Sequence, residues 1–199
     1  MKMLTVIDRV LLLGAFSALF LASACGKNDA ADDSTDVGAA PEVINEIELE
    51  PVTPTEQVEL AYKYFLGEEK PQDYPRAAGL FLKAAKNGNS DAQFALGCMY
   101  QNGQGVQRNF MEAAKWYLKS AQAGNPNGQY LIGLSFKEGS GVPKDTIESY
   151  KWIHLAAEQQ VDPRHSEARD QLALLLTPAV VAEGKRRADQ FLLYQGLKN

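Results

Sequence analysis

The chain has 199 residues, 45% hydrophobic and 23% charged, with a formal net charge of −5. That is enough for one folded domain plus extensions. The acidity is local: from Gln57 onward seventeen basic residues face fifteen acidic ones, whereas residues 26–56 hold nine acids against Lys27 alone. A nearly neutral folded part excludes a nucleic-acid surface, which needs a concentrated basic face.

Residues 1–24 read as a secretory signal. Lys2 and Arg9 form a positive start, and Val10 to Ala22 is an uncharged apolar run too short for a bilayer span of about 20 residues. Two cleavage readings stay open. Leu21-Ala22-Ser23-Ala24-Cys25 resembles a bacterial lipobox, which makes Cys25 the lipidation site and first mature residue. Ala22-Ser23-Ala24 also fits a plain small-x-small site that leaves a soluble product. Gly26 is not the aspartate associated with retention in the inner membrane. In a two-membrane bacterium the lipobox resemblance therefore implies the outer membrane, facing the periplasm. Cys98, the other cysteine, reads as a small apolar helix residue, with a disulfide to Cys25 as the rival.

Residues 25–55 form an acidic tether punctuated by Pro41, Pro51 and Pro54, with no sustained period. Such a composition does not repay the entropy of ordering, so disorder is expected. As a flexible coil it spans roughly 30 Å. Residues 43–49, where apolar residues alternate with acids, read as part of this solvated tether, pairing with a partner being the other reading.

From residue 56 to 199 the sequence repeats. A step of 36 links Gly97 to Gly133, Gln93 to Gln129, Leu96 to Ile132, Gly105-Val106 to Gly141-Val142 and Trp116 to Trp152. A fixed period of this length marks stacked supersecondary units. The expected fold is all-α, an α/α solenoid of three helix-turn-helix repeats (56–90, 91–126, 127–162) with a C-terminal capping helix pair (163–199). In each unit a first helix ends in a glycine turn, and the second opens at Asp73, Asn109 or Asp145. Glu112 and Glu148, three residues on, are expected to complete capping boxes at the latter two. Gly97 and Gly133, mid-helix, point to close approach of the paired helix. Three repeats and a cap are about the minimum that stabilises such a stack.

The run Ala92…Leu96-Gly97…Tyr100…Gly103-x-Gly105-Val106…Ala113…Trp116…Ala121…Gly124 resembles the Sel-one-like repeat, a relative of the tetratricopeptide repeat. The third unit departs at Gly128, Ser149 and Gln160, and the first lacks the Gly-x-Gly-Val turn. The resemblance implies a non-catalytic scaffold that holds another protein or peptide of the cell envelope in a concave groove lined by the first helices. Carried over by alignment, the groove residues are Phe94, Gln101 and Asn102 in unit two and Tyr130, Lys137 and Glu138 in unit three; Tyr62 and Phe65 are the unit-one counterparts. An exposed Phe and Tyr one repeat apart would suit peptide anchoring. The other reading packs Phe94 and Tyr130 against each other.

No chemistry-bearing motif competes. His154 and His165 lack acids or cysteines at ligand spacing, so no metal is expected, and no cofactor is implied. Gly103-x-Gly105 and Gly139-x-Gly141 follow helices and read as turns. Trp116 and Trp152 read as core, and Lys83, Lys115, Lys119 and Lys151 as a solvated convex row. Two further functions stay open: a secreted hydrolase or wall-binding protein, for which Glu138 and Asp145 are the nearest acids, and a soluble secreted effector.

Overall fold

The computed structural model describes residues 53–196, which form eight α-helices. They are α1 (Pro54–Leu66), α2 (Tyr74–Lys86), α3 (Ser90–Asn102), α4 (Phe110–Gln122), α5 (Pro126–Glu138), α6 (Thr146–Glu158), α7 (Pro163–Leu175) and α8 (Pro178–Gly196). No strand occurs among the described residues, and the chain is an all-α solenoid, as the period predicts. No helix among them is long and apolar enough to cross a membrane.

Local chemistry sets the boundaries. Thr53, Asp73, Asn89, Asn109, Asn125, Asp145 and Asp162 each accept a backbone N–H of the helix they precede. Each cap stabilises its helix by about 1 kcal/mol. The first helices end on Gly67, Gly103 and Gly139, whose positive φ of 75°, 73° and 78° is open to glycine and strained for other residues. The two expected capping boxes close on one side only. Asn109 and Asp145 do accept their N–H groups, but Glu112 turns to Lys115, and Glu148 to Lys151 and Arg187. A charged partner within reach outcompetes a neutral backbone donor. The reciprocal box forms instead at Thr53 and Glu56.

Within a unit the helices meet at glycine. A Cβ on Gly97 would lie 2.5 Å from the Tyr117 ring, and one on Gly133 would lie 2.6 Å from Ile153 Cγ1. Between units the seams repeat. Gln93 donates Nε2 to Ala85 O at 3.1 Å, and Gln129 does the same to Ala121 O at 3.3 Å. Ser120 Oγ donates to Ser90 O, and Asn125 Nδ2 to Asp91 Oδ1. The second turn glycine completes each seam: a Cβ on Gly105 would lie 2.3 Å from Tyr74 O, and one on Gly141 2.0 Å from Phe110 O. Tyr74 and Phe110 are the first residues of α2 and α4, so the turn of each unit rests on the preceding unit. Replacing Gln129 by Ala removes the Nε2 bond to Ala121 O, which keeps the Gly124 N–H, and takes from Gln159 Nε2 one of its two acceptors, so it is expected to cost about 1 kcal/mol. A urea titration that shows an unchanged midpoint would count against the seam bond.

The last two helices cap the stack in an unequal way. Both pack on α6 rather than chiefly on each other. Helix α8 lies across α6, with Gly184 against the Tyr150 ring, Arg187 on Glu148 at 2.8 Å, and Phe191 edge-on to Trp152 at 5.1 Å. It reaches α4, where Gln195 Nε2 donates to Gln122 O at 2.9 Å. One core of small and aromatic side chains runs through the units, from Ala61 and Phe81 to Trp152 and Ala188. A second, smaller cluster joins Tyr150 and Ile153 to Leu172 of α7.

Candidate functional site

The inner helices are less open than the alignment implies. Every residue of α3 from Ala92 to Met99 is buried, and Ala92, Ala95 and Gly97 let the flanking helices close on it. A helix apolar and enclosed all round offers no groove. Phe94 is 1% exposed and packs toward the Tyr117 ring at 6.3 Å, which removes it as a peptide anchor. Tyr130 is half-buried and lies 4.7 Å from the His165 ring of α7. The two aromatics therefore pack on different partners, neither exposed as a pair nor against each other. In unit one Phe65 packs edge-on to Tyr74, and Tyr62 edge-on to Phe81.

The four polar candidates sit elsewhere. Gln101 and Asn102 end α3, and Lys137 and Glu138 end α5, all beside the glycine turns. Asn102, Lys137 and Glu138 are exposed, while Gln101 is half-buried and accepts the Tyr117 hydroxyl proton at 2.8 Å. The structure thus places these four on the turn edge of the stack. They repeat from unit two to unit three: Gln101 and Asn102 stand 36 residues before Lys137 and Glu138.

The tryptophans are core: Trp116 is 8% exposed and Trp152 2%. Lys119 lies over the Trp116 ring at 4.2 Å and Lys151 over Trp152 at 4.3 Å. Lys83, Lys115 and Lys119 are exposed on the outer helices, but Lys151 is held between Glu148 and the Phe191 ring. Asp145 spends its carboxylate on the N–H groups of Ile147 and Glu148, a helix cap. Among the described residues no cluster of three His, Cys, Asp or Glu is arranged to hold a metal. Cys98 is fully buried in the core, where it matches Leu134. Cys25 and the tether as far as residue 52 lie outside the described residues, whereas its last three residues, 53–55, are the cap and first turn of α1 rather than part of a linker.

Both histidines pack. His154 stacks on Tyr150 at 5.8 Å, near Glu158, and His165 is buried in the first turn of α7 beneath Tyr130. Burial pushes each ring below its ordinary pKa of 6.5. The unfolded chain therefore takes up these protons more readily than the folded one. The histidine contribution is fully present above about pH 6.5 and is lost as the pH falls through the depressed folded values. Thermal melts at descending pH are expected to show this loss, and His165→Phe to flatten part of it. An unaltered pH slope in that variant would clear His165 of the effect.

Sequence reasoning missed the most exposed apolar residues. Leu174 (86%) and Leu175 (76%) end α7, and Leu192, Leu193 and Tyr194 stand out near the end of α8. The run Leu192-Leu193-Tyr194 was the available signal, but the 36-residue register has no counterpart there to place it.

The Sel1 repeat description matches residues 57–89, 90–125 and 126–161. A protective antigen present in uropathogenic Escherichia coli strains and displaying an SLR fold is similar at 29% identity and TM-score 0.65, over 70% of this chain and 30% of that one. A Sel1 repeat protein from Oxalobacter formigenes is similar at 35% identity and TM-score 0.52, over 53% of this chain and 42% of that one. The chain thus spans less than half the length of either. No curated protein matches the sequence.

Proposed function

Because the chain belongs to the Sel1 repeat family, whose repeats mediate protein–protein interaction, we propose that it is a non-catalytic scaffold of the bacterial cell envelope. Lipidated Cys25 and the acidic tether hold it at the outer membrane on the periplasmic side. The solenoid captures another envelope protein or a peptide segment of one. The observation that supports this reading best is the exposed polar row at the turn edge: Asn102 in unit two, then Lys137 and Glu138 one repeat later. Such a row follows the stack and can register an extended partner unit by unit. Phe94 plays no part in it.

Site-specific photo-crosslinking in the native host tests the capture. Probes at Asn102 and Lys137 are expected to yield one discrete adduct, and a probe at Lys119 on the outer face none. Equal adducts from all three positions, or none, would remove the turn edge as the binding surface. Labelled palmitate that enters the wild type and is absent from Cys25→Ser tests the anchor separately. Labelling that persists in the variant would overturn it, and labelling absent from both would favour the soluble product.

A further inference from the structure

Phe110 and Met111 open α4 with side chains that the fold leaves in solvent, at 45% and 62% exposure. Unit one shows why. Tyr74, the first residue of α2, packs edge-on to Phe65 at 5.2 Å and is half-buried. One repeat later Phe110 stands in the place of Tyr74, but Gln101 stands in the place of Phe65. Gln101 takes the Tyr117 hydroxyl proton, so Phe110 is left without the cover that Tyr74 has. Its backbone is still fixed, because the Gly141 turn of unit three rests on Phe110 O. A large side chain on a held backbone is a preorganised anchor point.

Bases predominate around it. Arg108 lies over the Phe110 ring at 5.8 Å, and Lys144 holds the equivalent place one repeat later; they flank Gly103 and Gly139. Arg108, Lys137 and Lys144 are exposed, and none of the three is in a salt bridge among the described residues. Within residues 101–111 and 137–147 the acids are Glu138 and Asp145, and Asp145 is bound into a helix cap.

We infer that Phe110 and Met111, flanked by Arg108 and Lys144, dock an extended acidic segment of another protein that carries a large apolar side chain among its carboxylates. The apolar side chain lies on Phe110 and Met111. Carboxylates on either side of it meet Arg108, whose guanidinium can hold one in bidentate fashion, and Lys144. An anionic lipid surface suits the site less well, since exposed Asn102, Gln107 and Glu138 interrupt the positive charge. The inference rests on the scaffold reading and gives the partner its chemistry.

A photo-crosslinking side chain at Gln107 of the full chain, in the native host, is the test. One discrete adduct is expected, and its cross-linked peptide, read by mass spectrometry, is rich in Asp and Glu beside a large apolar residue. Arg108→Glu with Lys144→Glu is expected to cut the adduct at least about fivefold, as reversal at two exposed charge pairs implies. Arg108→Lys with Lys144→Arg keeps it, Phe110→Ser weakens it, and all of these variants melt close to the wild type. A neutral or basic cross-linked segment overturns the inference, as does a yield indifferent to the charge reversal. No adduct at Gln107 while Asn102 and Lys137 give theirs also overturns it and leaves the scaffold reading standing; none at any of the three removes both. A second copy of the chain in the adduct, or binding of the Cys25→Ser chain to phosphatidylglycerol vesicles with no protein adduct, overturns it in favour of that occupant.

Discussion

Gly141→Ala is expected to destabilise the domain by about 3 kcal/mol or more and to lower its melting temperature by roughly 10 °C. Two separate terms add. The backbone there has φ of 73°, which asks about 1–2 kcal/mol of a residue with a Cβ. The new methyl would also sit 2.0 Å from Phe110 O, a backbone atom fixed in the first turn of α4, so unit three must shift on unit two. Overpacking of that kind costs about 1–3 kcal/mol. Gly139→Ala isolates the first term, since φ is 78° but the nearest atom, Lys144 Cβ, is at an ordinary 3.5 Å. Equal melting temperatures for the two variants would show that the seam yields and that the close approach is not a constraint.

Trp152→Ala is the second large effect, at about 3–5 kcal/mol. That is a large fraction of a net stability of about 5–15 kcal/mol for a typical domain. The indole is 2% exposed and faces the Phe191 ring, so its loss removes core volume and the main apolar grip on α8 together. Exchange measured on α8 amides should accelerate well before the α3 amides do. If α8 stays as protected as in the wild type while the melting temperature falls, its hold lies with Gly184 against Tyr150 and with the Arg187–Glu148 ion pair. Trp116→Ala, in the same place one unit earlier, should lower stability without freeing α8 selectively.

Most of the fold was legible because each unit repeats its own instructions. The step from Asn89 to Asn125 repeats a cap, Gly103 to Gly139 a stop, and Gly97 to Gly133 a close contact, so the helices could be counted from one chain. The partner surface was not legible in the same way. Carrying contact positions over from tetratricopeptide-like folds assumes an open inner face, whereas Ala92, Ala95 and Gly97 draw the neighbours in until Phe94 is sealed. Small side chains at these places report how near two helices come only once both are positioned. The packing of His165 under Tyr130 escaped for another reason, since it joins α5 to a helix whose register has slipped past the repeat. Helix α8 has no equivalent in any unit, and periodicity says nothing about where an unrepeated element lies.

The fastening of α8 to both α6 and α4 makes the two ends of the stack mechanically unlike. From Gly184 to Gln195 it is fastened to α6 and α4, so the final helices are strapped into one block. The other end is laid unit on unit, each seam closed by a few hydrogen bonds and a glycine contact. Under tension applied at residue 53, units would peel away one at a time from α1, each adding on the order of 100 Å of extended chain, and the strapped block would come apart last. A protein pulled from that side would behave as a stepwise shock absorber with a fixed stop.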